Sequence, residues 1–426
     1  MPTTAPAVSR SLFGGVLDYD GAGNYPGLEL INLVFCSIGE DILPTSEKVH
    51  VKRRAHEFAR RLVWDDKFSQ SPQCLEVLYD DDSKNAIRHL LKCLQLDIPN
   101  LKKGSEPSWE RAHFFPYTNS LIHWDARIRG SRVSIERRYL RGGGALAFHV
   151  LRLDWDEKRL SRVRMGFRKL FPSGQVTALE RLATVLLGHG SSDSNPPTDE
   201  LEADCHLMLD GNDDILRDGV VNILEHTELS VVARVRALMN WTAFWLVLIQ
   251  HRRASERLKR SPSFIICDCG AARPQLRRAS QKCLKDLQAT ILEAAELEAG
   301  AEGFPRSGKQ KLRGFFWASA ATIKLLNAWS GRRHFTLGMD ILESLVLAST
   351  SGVGEIPFEQ FTDEWLFGKY SLVVGRRGAE QGGFLSSLDA SIFEDNERRL
   401  VAQMKAAGLL TEYSDATRMV GTGGLQ

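Results

Sequence analysis

The sequence predicts a mainly α, multi-helical fold with a small β-hairpin element, and three observations carry that expectation. Apolar residues recur at three- and four-residue spacing along much of the chain, as in Leu160, Val163, Phe167 and Leu170. The most apolar stretch, 230–250, reads as one helix hydrophobic nearly all round, which has to be covered on most of its circumference. The clearest β texture lies in 126–154, where β-branched and aromatic residues flank Gly142, Gly143 and Gly144.

A chain of 426 residues exceeds the roughly 250–300 at which single hydrophobic cores stop growing, so more than one domain is expected. The expected division is 1–190, an N-terminal mixed, mainly helical domain with an RGGG hairpin; 200–335, a central helical domain around the apolar helix; and 336–426, a C-terminal module. The Gly-, Ser- and Pro-rich stretch GHGSSDSNPPTDE at 188–200 marks the clearest linker. A composition of 43% hydrophobic and 25% charged residues is that of an ordinary globular chain and argues against disorder. Net charge +2 and a pI of about 8.1 leave the partner open. Seven cysteines at irregular spacing fit reduced thiols. The N-terminus lacks the basic-then-apolar pattern of a secretory signal, so a cytoplasmic location is expected.

Taken in order, residues 1–28 are rich in Gly, Pro and Ala and read as an arm or loop. A short apolar run at 28–38 precedes a helix over 48–64, with Arg53, Arg54, Arg60 and Arg61 forming a basic surface. Asp80, Asp81 and Asp82 then place negative charge where the N-terminus of a helix over 83–96 wants it. The RGGG segment reads as a hairpin or a strand-loop-helix turn, and two antiparallel helices follow over 155–187, broken at Pro172, Ser173 and Gly174. In the central stretch, Arg234, Arg236 and the basic 251–253 interrupt the apolar run before the ~18 to 20 residues of a membrane span. A core helix is therefore expected there, and no membrane contact. Beyond it come a buried strand near 264–267, a long amphipathic helix over 275–298 and another largely buried helix over 314–329.

Several residues invite a chemical reading. Gly142, Gly143 and Gly144 would let backbone approach a phosphate, with Arg132, Arg137, Arg138 and Arg141 supplying charge; a flexible turn with exposed arginines fits the same pattern. Asp268 falls at a strand end, where α/β enzymes carry catalytic carboxylates, but with no acidic partner at readable spacing it reads as a turn residue. Cys267, Cys269 and Cys283, with Cys205 and His206, lack the paired spacing of a zinc site. The stretch GFPRSGKQ at 303–310 matches a phosphate-binding loop in letters only, because a helix precedes it and Pro305 interrupts it. No catalytic residue, metal or cofactor is assigned. The helix over 275–298 carries Arg277, Arg278, Lys282 and Lys285 early and Glu293, Glu296 and Glu298 late, against the helix dipole. Tertiary contacts or an anionic partner must stabilise its basic end.

The C-terminal module begins with a short apolar helix over 339–348, followed by a segment at 357–367 that opens on a proline suited to a first helical turn. Ser391 and Glu394 form a capping box for a helix running to Ala406, with Phe393, Leu400, Val401 and Met404 inward and Gly408 as its stop. Segments 409–412 and 416–420 make a hairpin. The order helix, helix, helix, AAGLL, hairpin resembles a winged helix-turn-helix domain over about the last 85 residues, with a longer connection at 370–390 than that family's tight turn. The resemblance implies a DNA-contacting helix with Asn396, Arg398, Arg399, Gln403 and Lys405 on its exposed face, and Arg418 on the wing.

The whole-chain texture is also similar to accessory subunits of bacterial anti-phage defence clusters, of the methylation-associated or phosphorothioation-linked type. That resemblance implies a non-enzymatic subunit that scaffolds or aids DNA recognition for partner enzymes, with other defence-system subunits and double-stranded DNA as partners. Two alternatives stay open: a metal-dependent nuclease or nucleotide-dependent factor using Asp268 or the RGGG region, and a transcriptional regulator.

Overall fold

The computed structural model describes residues 4–17, 26–52, 57–78, 80–96, 113–122, 126–129, 132–135, 143–172, 177–188, 198–201, 205–328, 331–352, 354–413 and 417–423. In chain order the elements begin with α1 (Ala5–Phe13), α2 (Pro26–Cys36), β1 (Ser37–Ile38), β2 (His50–Lys52), α3 (Glu57–Trp64), α4 (Pro72–Val77) and α5 (Asp81–Leu94). They continue with β3 (Ala126–Arg129), β4 (Arg132–Ile135), α6 (Gly144–Arg152), α7 (Glu157–Leu170), α8 (Ala178–Gly188) and β5 (Thr198–Glu200). The middle of the chain forms α9 (Gly211–Glu225), α10 (Val231–Arg257), β6 (Ile265–Ile266), α11 (Pro274–Ala299) and α12 (Arg306–Thr322). The last part forms α13 (Met339–Ser349), β7 (Ile356–Pro357), α14 (Phe358–Gln360) continuing as a π-helix (Phe361–Lys369), β8 (Leu372–Val373), α15 (Arg376–Gln381), α16 (Ala390–Ala406), β9 (Leu410–Glu412) and β10 (Arg418–Val420). The fold is thus mainly α and multi-helical, with small sheets ordered β1-β2-β5 and β7-β10-β9, the hairpin β3-β4 and the parallel pair β6-β8.

Helix α10 forms the centre. By length and composition it could cross a membrane, yet 72% of its apolar window is buried inside the protein. Its polar atoms are used to fix its neighbours. Trp241 Nε1 donates to Leu216 O (3.2 Å) and Trp245 Nε1 to Asn212 O (2.8 Å), both on α9, while Asn240 Nδ2 donates to Asp340 O of α13 (3.1 Å). Helix α2 crosses so closely that a Cβ on Gly27 would lie 2.2 Å from Met239 Cα. The main apolar core is continuous from Val8 of α1 through α10 to Val420 of β10. A second core joins α3, α5 and α8 through Phe58, Leu62, Leu91 and Leu186. A third, small one packs Ile266 and Val373 against Leu276 and Phe393.

Four expectations are corrected. The N-terminal arm contains α1, whose Thr4 Oγ1 accepts from Ala7 N (3.4 Å) and whose Val8, Leu12 and Phe13 are buried; its apolar spacing outweighs the neighbouring glycines and prolines. The stretch 48–64 is not one helix: Val51 is buried between exposed His50 and Lys52 as strand β2, and α3 starts only at Glu57. Arg60, expected on a basic surface, is buried. Helix α16 is capped by Asp389, whose Oδ1 accepts from Ser391 N (2.8 Å), rather than by a Ser391–Glu394 box.

Candidate nucleic-acid interface

The strand β6 runs into the segment Cys267, Asp268, Cys269, Gly270, and Asp268 ties the turn that follows it to the start of α11 and to the segment at His334. Its Oδ1 accepts from Gly270 N (2.9 Å) and Ala271 N (3.0 Å), closing a turn in which Gly270 and Ala272 take positive φ of 90° and 58°. Its Oδ2 accepts from Arg277 Nε of α11 (2.8 Å) and lies 3.5 Å from His334 Nε2. Burial alone would raise its pKa, but His334, Arg277 and the Gly270 N–H together hold the carboxyl well below the usual carboxylate range. An aspartate saturated in this way positions cations rather than accepting protons. Beside it, Asn396 of α16 is fully buried. Its Oδ1 accepts from Cys269 N (2.8 Å), and its Nδ2 donates to Cys267 O (2.8 Å) and Val374 O (3.0 Å).

Asp268 thus gathers Arg277 and His334, while Arg273 lines one groove with Arg398 and Arg399 of α16. The turn 331–334 carries Arg332 and Arg333, with the Arg333 guanidinium 4.0 Å from the Trp317 ring centroid, and reaches Asp268 through His334. Arg273 immediately precedes α11, which contributes Arg277, Arg278 and Lys282 in its first turns, and α16 contributes Arg398 and Arg399. Arg273 and Arg398 both pair with Asp395, and Lys282 pairs with Asp286. Arg278 and Arg399 are exposed and make no ion pair among the described residues. A groove of about 630 Å³ runs between the two helices, lined by Ala271, Ala272, Arg273, Pro274, Asp395, Arg398, Arg399 and Ala402.

The inverted charge order of α11 has a tertiary explanation at its acidic end. Glu293 pairs with Arg260, Glu296 with Lys309 and Glu298 with Arg257, so cations from neighbouring segments replace the ones the dipole would want. At the basic end, among the described residues, only Arg273 and Arg277 are matched by carboxylates from outside the helix, and Arg278 faces solvent.

The candidate residues on the C-terminal helix separate into groups. Arg398 and Arg399 are exposed on α16 and belong to the basic face. Asn396 is a correction: it points inward, because it lies three residues after Phe393 and four before Leu400, both in the core. Gln403 is half-buried, its Nε2 donating to Leu337 O (2.9 Å). Lys405 pairs with Glu412. Arg418 pairs with Glu359 and lies 4.5 Å over the Phe358 ring, beside a cavity of about 290 Å³ shared with Glu397. Arg137, Arg138 and Arg141 lie outside the described residues, as does Gly142.

The other motifs have internal partners. Gly143, at φ 83°, precedes α6, and the first N–H of that helix, on Gly144, donates to Glu29 Oε2 (2.8 Å). A carboxylate of the protein therefore takes the place a phosphate would need at the start of α6. In the 303–310 stretch, Glu296 accepts from Phe304 N and pairs with Lys309. Burial pushes the Cys267, Cys269 and Cys283 thiols up, and the Cys205 backbone forms an isolated antiparallel β-bridge with Gly15 of the N-terminal segment. No group of three or more His, Cys, Asp or Glu able to hold a metal occurs among the described residues.

Fold and site together define a mainly helical protein with a basic, carboxylate-anchored face beside its C-terminal helix. Comparison of the chain with protein-family models, with curated proteins and with solved structures found no match.

Proposed function

We propose that the protein is a non-enzymatic, DNA-associated subunit whose face around Arg273, Arg278, Arg398 and Arg399 contacts the phosphate backbone of double-stranded DNA. The observation that carries the reading is the groove in which Arg273, at the start of α11, meets Arg398 and Arg399 on the exposed side of α16. Phosphate contacts of this kind fix position on the duplex and carry no sequence information, so partner proteins supply recognition or chemistry. The order α13, α14 with its π-helix, α16, and the β9–β10 hairpin joined by β7 supports the winged-helix reading, with β8 and α15 inserted before the last helix. Seven free cysteines suit a cytoplasmic location. Membership of a multi-protein anti-phage assembly, with other subunits as partners, is the setting we propose for it.

The test is binding of the full chain to labelled duplex DNA across a salt series, against Arg398→Ala/Arg399→Ala. The expected result is an affinity that falls steeply with salt. The double variant should flatten the log–log slope by about 2, since each phosphate neutralised on B-form DNA contributes roughly 0.9 to it. A full chain that fails to bind duplex at low salt would overturn the proposal.

A further inference from the structure

We infer that the groove between the start of α11 and α16 is a phosphate seat in which the Asp395 carboxylate is the resident stand-in. Arg273, Arg398 and Arg399 receive a phosphate group when it displaces that carboxylate. The inference rests on the proposed function only for the source of the phosphate.

The geometry is that of an anion held between two guanidinium groups from separate elements. Asp395 Oδ2 accepts from Arg273 Nε (2.9 Å) and again from its Nη2, while Oδ1 accepts from Arg398 Nη2. Side-on pairing of an arginine fork with one oxyanion is the arrangement phosphates and carboxylates share. The Arg273 and Arg398 side chains are 53% and 76% exposed against 21% for Asp395, so both arginines reach solvent and can change partner. Arg399, on the next position of α16 and lining the same groove, has no carboxylate of its own among the described residues. A phosphate thus gains a third cation that the resident aspartate does not use. Alanines at 271, 272 and 402 leave the groove open beside them. Exposed ion pairs are weak, so the exchange needs little free energy. Asp268 differs: it is buried and saturated, and Arg277 stays with it.

The test uses the full chain and Asp395→Asn, with Asp395→Ala as a second variant in case the amide finds its own partner. Thermal unfolding is followed with inorganic phosphate against chloride at matched ionic strength. Both variants are expected to be stabilised by phosphate more than the parent chain is, and Arg273→Ala/Asp395→Asn to lose that gain. Equal phosphate response in the parent chain and both variants overturns the inference, whatever DNA does. Duplex binding separates the sources. If DNA supplies the phosphate, Asp395→Asn binds it roughly threefold to tenfold tighter, the range expected for removing a competitor that holds two exposed pairs. Variants that gain phosphate response while no chain binds duplex keep the seat, assign it to free or monoester phosphate, and overturn the DNA reading instead. A parent chain that binds duplex as tightly as Asp395→Asn, with no phosphate response in either, leaves the DNA reading standing and removes the seat.

Discussion

At Asn396 one side-chain amide makes three hydrogen bonds in a site closed to solvent, joining α16 to the ends of β6 and β8. Replacing it with leucine keeps the branched shape and heavy-atom count but orphans Cys269 N, Cys267 O and Val374 O. Asn396→Leu is expected to cost about 3 kcal/mol, since leaving buried donors and acceptors unmade costs more than a typical hydrogen bond contributes; denaturant unfolding measures it. Buried histidines shape the acid limb of stability, His149 and His251 among them. Burial, then Arg152, lowers the His149 pKa to about 4, and burial, then Arg252, lowers that of His251 to about 4. Both are neutral acceptors, His149 Nδ1 from Arg152 Nε (2.8 Å) and His251 Nε2 from Ser263 N (3.2 Å). The unfolded chain protonates them first as pH falls below about 6.5, so stability is full above that value and is lost between it and the folded pKa. Each contributes a loss of about 2 kcal/mol between pH 8 and pH 5. His251→Gln, which keeps an acceptor for Ser263, is expected to flatten that limb by its share in urea unfolding at the two pH values. The inward position of Asn396 is readable from Phe393 and Leu400, but its polar type pointed the other way. Asp268 was legible as a turn residue; its partner His334 was not, because it comes from a distant segment, and Arg277, nine residues on, needed the fold of the turn into α11 to reach it.

At the scale of elements, α10 followed directly from the sequence, because an all-round apolar helix has to be buried. The glycines that let other helices approach it carry no such signature. At Gly27, near the start of α2, alanine would ordinarily favour the helix by up to about 1 kcal/mol. Here its Cβ would meet Met239 backbone at 2.2 Å, and overpacking of this kind costs roughly 1–3 kcal/mol or more. The clash wins, so Gly27→Ala is expected to lower stability by about 2 kcal/mol, read as a drop in thermal midpoint; an unchanged or raised midpoint would contradict the crossing. Strand β2 was hidden because only three residues alternate before α3 begins, too few for periodicity to separate from the helix that follows. The pair β6–β8 was half legible. The apolar run at 264–267 marks one strand, but its partner at 372–373 lies too far along the chain for local pattern to find.

For the whole molecule, the packing of the C-terminal part on the centre decides what can be separated. Helix α13 buries Ile341, Leu342, Leu345, Val346 and Leu347 completely, in the same core as α10. At roughly 1.5–3 kcal/mol for each side chain, their burial is comparable with the whole net stability of a domain. A chain ending at Gly331 also loses β8, the partner of β6, and Asn396. It is expected to be insoluble or to unfold without a cooperative transition, whereas a soluble fragment with one sharp transition would show the centre to be self-sufficient. Charge removal at Arg398 and Arg399 is therefore the sounder way to test the basic face.

The sequence by itself determined the helical class, the buried central helix, the caps at Asp80 and the Gly408 stop, and the C-terminal hairpin, because these depend on periodicity and on groups within a few residues of each other. Tertiary structure alone decided which basic residues share a face and which carboxylates neutralise them. Glu29 on the Gly144 N–H and Asp395 on Arg273 act through space, over separations along the chain that no local spacing records, whereas the pair Asp395–Arg398 stands at a helical i,i+3 spacing. Electrostatic pairing falls off with distance in space and is indifferent to distance in sequence, so a charge that looks free in the sequence is free only if the fold brings it no partner.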